Sequence, residues 1–204
     1  MTRALVTVLY EDSGAGGELA NFGPHNLLVR CVADDLSRHG VHAVEFYALR
    51  REMLVGRPMN SNSKVQAECA RISKTLARNG SIVVALYDFD KVHRLIPSVG
   101  ARRCKGEMRN ALRQQSDAPD SLRVYFLDRN VETLTTATAR LLGVTLRGKP
   151  KPAERDGLLN PIALAEGVEA CDRRSHVRSE VQTFDYVVRR VAELVVALST
   201  GAAP

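Results

Sequence analysis

Four times along this sequence a short apolar run gives way to a stretch with helical spacing, and that alternation constrains the fold more than any other feature. Ala4–Tyr10 (ALVTVLY), Val41–Tyr47, Ser81–Tyr87 (SIVVALY) and Leu122–Leu127 (LRVYFL) read as strands. They are rich in β-branched and aromatic residues and bounded by turn formers. A run that is apolar on both faces belongs in a parallel sheet covered on both sides. Helical spacing follows at 24–39, 64–78, 104–115 and 131–142, with Gly40 and Gly80 as stops. Leu49–Ser63, which holds Pro58 and the polar run Asn60–Ser63, reads as a loop, and so does Asp88–Gly100. The expected fold is α/β: a doubly wound, mostly parallel four-stranded sheet with additional C-terminal helices.

After Leu142 the pattern changes. Thr145–Pro152 is a basic connector containing proline, Ala153–Glu169 reads as a helix, Asp172–Ser179 as a polar stretch, and Glu180–Leu198 as a last amphipathic helix. The expected organisation is one α/β domain over 1–145, with 146–204 packed on it as connector and helices, because the C-terminal part is too short to bury its own core.

No apolar run approaches the roughly 20 residues that span a bilayer, so no membrane segment is expected. The N-terminus meets Glu11-Asp12 too soon to be a signal peptide. The four cysteines (Cys31, Cys69, Cys104, Cys171) are scattered without a CxxC pair, which speaks against zinc and for free thiols in a reducing cytoplasm. Lys and Arg number 29 against 23 Asp and Glu, a net charge of +6 that suits an anionic partner such as nucleic acid. An aromatic content of 5% with no Trp leaves little for a base-stacking platform.

Ligands of parallel α/β sheets bind beyond the carboxyl ends of the strands. Three of the four expected strands end in acids: Glu11 and Asp12, then Asp88 and Asp90, then Asp128 with Glu132 a turn into its helix. An extended segment repeats every two residues, so Asp88 and Asp90 are expected to point the same way. Carboxylates converging on one edge repel one another, and a hard divalent cation relieves that repulsion. Mg²⁺, with Mn²⁺ as a substitute, suits few carboxylates plus waters and a phosphate. Acids past strand ends also cap helices, and Asp128 reads equally well in that role. Glu18 lies in the loop rather than at a strand end, which leaves Glu11 the stronger ligand.

Basic residues crowd the segment after Asp90. Arg102, Arg103 and Lys105 are the expected substrate contacts, whereas Arg109 and Arg113 lie four apart and also fit a solvated helix face. The loop Ser13–Gly17, through Gly14 and Gly16, offers unobstructed backbone N–H groups to a phosphate, although it matches neither GxGxxG nor GxxxxGK[ST]. His25, His93 and His176 are acid–base groups by type, but no GxSxG or HExxH motif accompanies them.

A carboxylate after the first strand (LYED, Glu11) and a DxD after the third (ALYDFDKV, Asp88 and Asp90) resemble the Toprim domain of topoisomerases, primases and several nucleases. The segment Tyr125–Leu134 (YFLDRNVETL) resembles a later stretch of small stand-alone Toprim-like proteins. The resemblance follows element order over Ala4–Leu142. It departs in having Asp12 directly after Glu11 and its first glycine only at Gly14. It implies Mg²⁺ held by Glu11, Asp88 and Asp90, with Glu132 or Asp128 completing the site, and a catalytic set of Glu11, Asp88, Asp90 and Glu132. The implied activity is a Mg²⁺-dependent nuclease cleaving phosphodiesters, in some relatives beside an ATPase in defence against phage. Two other classes stay open. One is a receiver-like module that binds Mg²⁺ without hydrolysis, and the other is a catalytically inactive partner subunit.

Overall fold

The computed structural model describes residues 6–12, 21–38, 45–77, 80–96, 104–128 and 130–201, with backbone alone at 72–77 and 130. In chain order the elements are β1 (Val6–Tyr10), α1 (Gly23–Arg38), α2 (Phe46–Ala48) with a π-helical turn at Leu49–Met53, β2 (Leu54–Pro58), α3 (Asn62–Ala77), β3 (Ile82–Asp88), α4 (Phe89–Val92), a 3₁₀ turn at His93–Leu95, α5 (Lys105–Gln114), β4 (Leu122–Leu127), α6 (Asn130–Leu141), α7 (Pro152–Leu164), α8 (Val168–Glu180) and α9 (Gln182–Thr200). They fall into two compact units that interleave along the chain and do not follow one another at 145/146. The first is Met1–Ser13 with Leu54–Asn130, and the second is Gly14–Met53 with Val131–Pro204.

The first unit is α/β. Its four strands are all parallel, in the order β2-β1-β3-β4. Val6 is in register with Leu54 on one side and Ile82 on the other, and Val83 with Leu122. The two inner strands are buried at every residue, as a parallel sheet requires of its centre. On one face Leu9, Val83, Ala85, Tyr87, Val124 and Phe126 pack with Val65 and Cys69 of α3 and with Met108 and Leu112 of α5. Each such aliphatic side chain contributes about 1.5–3 kcal/mol by leaving water. Tyr87 keeps its hydroxyl satisfied there by donating to Gln66 Oε1 at 2.7 Å.

The second unit is helical among its described residues. α1 packs against α7 and α9. Gly23 permits the α1–α7 approach, because a Cβ there would stand 2.9 Å from Leu159 Cβ and 3.1 Å from Asp156 Cα. The Asp156 carboxylate reaches across to accept the Gly23 N–H at 3.1 Å, serving an orphan donor at the start of α1.

Three expectations need correction. The second strand is β2 at Leu54–Pro58, inside the expected loop, and the described end of the expected strand, Phe46–Ala48, is helical (41–44 lie outside the described residues). β2 is an edge strand, and Pro58 sits where its missing N–H costs nothing. The next residue, Met59, donates to Tyr10 O at 2.8 Å, so the nitrogen of Pro58 faces the open edge. Next, the chain coils directly after Asp88 into α4 and the 3₁₀ turn, where a loop was expected. Last, the expected helix 153–169 is two helices separated at Gly167 (φ +92°), and the polar stretch 172–179 lies inside α8.

Buried arginines explain α8. Arg174 grips Asp34 with two bonds of 2.7 and 3.1 Å and donates to the carbonyls of Ile162 and Ala165 at the end of α7. Arg178 grips Asp35 at 2.5 and 3.0 Å and Asp185 at 2.7 Å. Among the described residues no helix is long and apolar enough to cross a membrane.

Candidate metal site at the carboxyl edge of the sheet

The strand order reverses direction between β1 and β3: the chain passes outward from β1 to β2, then returns past β1 to β3 and on to β4. In open α/β sheets the crevice beyond the strand ends at such a reversal is where ligands sit. Glu11 follows β1 directly and Asp88 ends β3, so the topology alone sets these two acids on either side of the crevice.

Their side chains meet on one cation. Lys91 Nζ lies 3.0 Å from Asp88 Oδ2 and 3.7 Å from Glu11 Oε1. The carboxylates are nearly buried, with side-chain exposures of 6% for Asp88 and 11% for Glu11, while Lys91 is 49% exposed. The ammonium therefore approaches from the solvent side and closes the pair. Lys91 reaches Asp88 because α4 begins at Phe89 and sets the two residues three apart on a helical turn.

Asp88 is fixed at both ends. Its Oδ1 accepts the Asp90 N–H at 3.2 Å, capping α4. Its backbone is clamped by the buried Asn62, whose Nδ2 donates to Asp88 O at 3.2 Å and whose Oδ1 accepts the Asp88 N–H at 3.2 Å. The loop before α3 also ties down the end of β1, with Asn60 N–H donating to Asp12 O at 3.0 Å. Asn60 adopts φ +68°, a left-handed conformation that asparagine tolerates better than most residues.

The other expected ligands have different surroundings. Asp90 does not share a direction with Asp88; it is exposed on the first turn of α4, because the chain stops being extended at Asp88. Asp128 pairs with Lys105 at 2.9 Å. Glu132 belongs to the helical unit and pairs with Lys149 of the basic connector. Among the described residues no group of three or more His, Cys, Asp or Glu side chains is placed to hold a metal ion.

The Glu11–Asp88 pair still suits a hard divalent ion. Mg²⁺ is commonly held by one or two carboxylates, with waters and substrate phosphate completing its shell. Both donors here are oxygens already gathered around a positive charge.

Of the expected substrate contacts, Lys105 is described. Its ammonium stands 4.7 Å from the centre of the Phe89 ring, and Phe89 packs edge-on against Phe126 at 5.5 Å. Arg109 and Arg113 are anchored rather than free on a solvated face. They donate to Val124 O at 3.0 Å and to Pro119 O at 3.1 and 3.0 Å. Arg102, Arg103, Gly14 and Gly16 lie outside the described residues.

Sequence reasoning missed Lys91 and Asn62. The sign of Lys91 was its spacing, three residues after Asp88, which matters only once that segment is read as helical. Asn62 carried no sign beyond membership of a polar run.

Compared with family models, with curated proteins and with solved structures, the chain matches none.

Proposed function

We propose that the carboxyl edge of the sheet is a Mg²⁺-dependent phosphoryl-transfer site and that the chain hydrolyses phosphodiesters as a nuclease. One observation carries this reading: Glu11 and Asp88, from the strands that flank the reversal in sheet order, converge on a single cation at 3.7 and 3.0 Å. Glu11 and Asp88 would hold the ion, which when bound polarises a phosphoryl oxygen and lowers the pKa of a coordinated water. The chain's own groups position the rest. Asn62 and the α4 cap lock Asp88. Lys91 holds the two carboxylates together until an ion takes its place, and its displaced ammonium then offers a positive charge to an incoming phosphate. Lys105 supplies a second cation on the same unit, and the net charge of +6 favours a polyanionic substrate.

The placement of Asp90 favours a second reading. Two carboxylates suffice to bind one ion, whereas hydrolysis through two ions draws on more. A Mg²⁺-binding module without turnover fits that narrower donor set.

The test is cleavage of plasmid DNA and of a mixed RNA pool in Mg²⁺ or Mn²⁺ by wild type, Glu11→Gln and Asp88→Asn. The nuclease reading expects metal-dependent cleavage that both substitutions abolish. Metal binding through Asp88 without cleavage of either substrate rejects it for the isolated chain, favours the binding module, and turns attention to a partner ATPase.

A further inference from the structure

The helical unit contains an open cleft of about 530 Å³. Three arginines (Arg38, Arg178, Arg189), two serines (Ser175, Ser179) and Gln182, the first residue of α9, line it together with one acid, Asp185. Arg178 engages all three guanidinium nitrogens, with Nη1 and Nη2 on Asp35 at 2.5 and 3.0 Å and Nε on Asp185 at 2.7 Å. Arg189 also reaches Asp185, at 2.9 Å. Arg38 lies 3.8 Å from Asp35 and donates to Ser175 Oγ at 3.0 Å and to Cys171 Sγ at 3.3 Å. Three guanidinium groups thus share two carboxylates, which leaves one positive charge in excess at the cleft. Arg174 and Asp34, behind it, pair with each other and cancel.

The excess charge is accessible. Arg38 is 51% exposed and Arg189 61%, and each carries five donors, more than its protein partners use. Buried Arg178 fixes Asp35 and Asp185, and so fixes the carboxylates toward which the outer arginines lean. α9 opens at Gln182 without a side-chain cap, but α1 ends at Arg38 and α8 at Glu180 beside it, so the excess charge rests on the arginines and not on helix dipoles. Hydroxyl and amide groups complete a polar lining that offers no apolar wall for a base or an acyl chain.

We propose that this cleft binds a phosphate group, free or as part of a polyphosphate or nucleic-acid backbone, between Arg38 and Arg189. Planar guanidinium forks suit phosphate oxygens in pairs, and Ser175, whose Oγ accepts from Arg38, can donate its own proton to a remaining one, whereas the Ser179 hydroxyl already donates to His176 O at 2.7 Å. The proposal stands independently of the metal site.

The test is calorimetric titration and thermal unfolding of the full chain with inorganic pyrophosphate, against sodium chloride at matched ionic strength. Saturable binding is expected, with a rise in Tm. Arg38→Gln/Arg189→Gln should weaken binding about tenfold or more. Arg190→Gln is the control: it removes the same charge from α9 outside the cleft, where Arg190 pairs with Glu193, and should leave binding unchanged. Ser179→Glu, which sets a carboxylate in the cleft without breaking an ion pair, should abolish binding, so the proposal stays testable if the double variant folds poorly. Competition between pyrophosphate and a short oligonucleotide then decides whether the site takes free phosphates or a nucleic-acid backbone. Absence of saturable binding to wild type overturns the proposal. An equal loss in Arg190→Gln does so too, since it would mean diffuse charge and no site.

Discussion

Asn62 clamps the backbone of Asp88, the acid at the centre of the proposed site. Both amide atoms are spent on the backbone of Asp88, so Asn62→Ala removes two buried hydrogen bonds and leaves a buried N–H and C=O unserved. The expected cost is about 1–3 kcal/mol of stability. Looser placement of Asp88 should also weaken metal binding in the variant, and a conservative Asn62→Asp should restore only the bond from the Asp88 N–H. Denaturant titration with and without Mg²⁺ measures both effects, and a stable variant with unchanged metal affinity would remove Asn62 from the account.

The buried thiols carry a pH signature at the same scale. Burial pushes Cys31 and Cys69 each from the ordinary 9.0 up to about 12. Their folded values exceed their unfolded ones, so the associated stability is complete below pH 9 and is lost as pH rises toward about 12. Each thiol removes up to about 1.4 kcal/mol per pH unit across that window. Denaturation midpoints measured from pH 7 to 11 should fall, and Cys31→Ala/Cys69→Ala should flatten the decline even though it lowers stability at pH 7. A parallel decline in that double variant would assign the effect to other groups. At neutral pH, Cys104, which is exposed, should react first with a thiol reagent.

Among the elements, α8 shows how a charged sequence can be a buried one. Its composition reads as solvated, yet Arg174 and Arg178 are buried because Asp34 and Asp35 on α1 meet them with paired bonds. Arg174→Met removes the buried side of a part-buried pair and strands Asp34, which keeps 16% exposure, so it should cost about 3 kcal/mol, the low end for a buried pair. The double replacement of Arg174 and Asp34 by apolar residues should recover much of that loss, and a double-mutant cycle measures the coupling. A helix predicted from hydrophobic spacing alone cannot reveal such partners, since the match lies about 140 residues away in the chain.

β1, β3 and β4 were legible because their apolar runs mark strands in their own right. β2 was not, because Gly56 and Pro58 break the strand pattern and only its edge position makes them acceptable. α4 was hidden for a related reason: its helical turn starts from the cap that Asp88 supplies, and four residues are too few to show a period.

At the scale of the whole chain, the parallel four-stranded sheet with helices after it agrees with the alternation in the sequence. The two compact units could not be read from it, because each is assembled from segments far apart in the chain. The candidate site was half legible. Strand-end position was enough to pair Glu11 with Asp88, since parallel neighbours deliver their carboxyl ends to one edge. The alternation rule then failed at Asp90, where the backbone changes from extended to helical within two residues. What takes its place beside the two carboxylates is Lys91, a cation in the chain's own sequence, with which a metal ion at the proposed site would have to compete.

That competition gives the most direct measurement: calorimetric titration of Mn²⁺ and Mg²⁺ into wild type, Glu11→Gln, Asp88→Asn and Lys91→Met. A divalent-ion site at the strand ends predicts saturable binding to wild type, its loss in both carboxylate variants, and tighter binding in Lys91→Met, whose metal-free Tm should be lower and should recover on adding Mg²⁺. Binding that survives Glu11→Gln and Asp88→Asn unchanged, or no saturable binding even in Lys91→Met, would contradict the account.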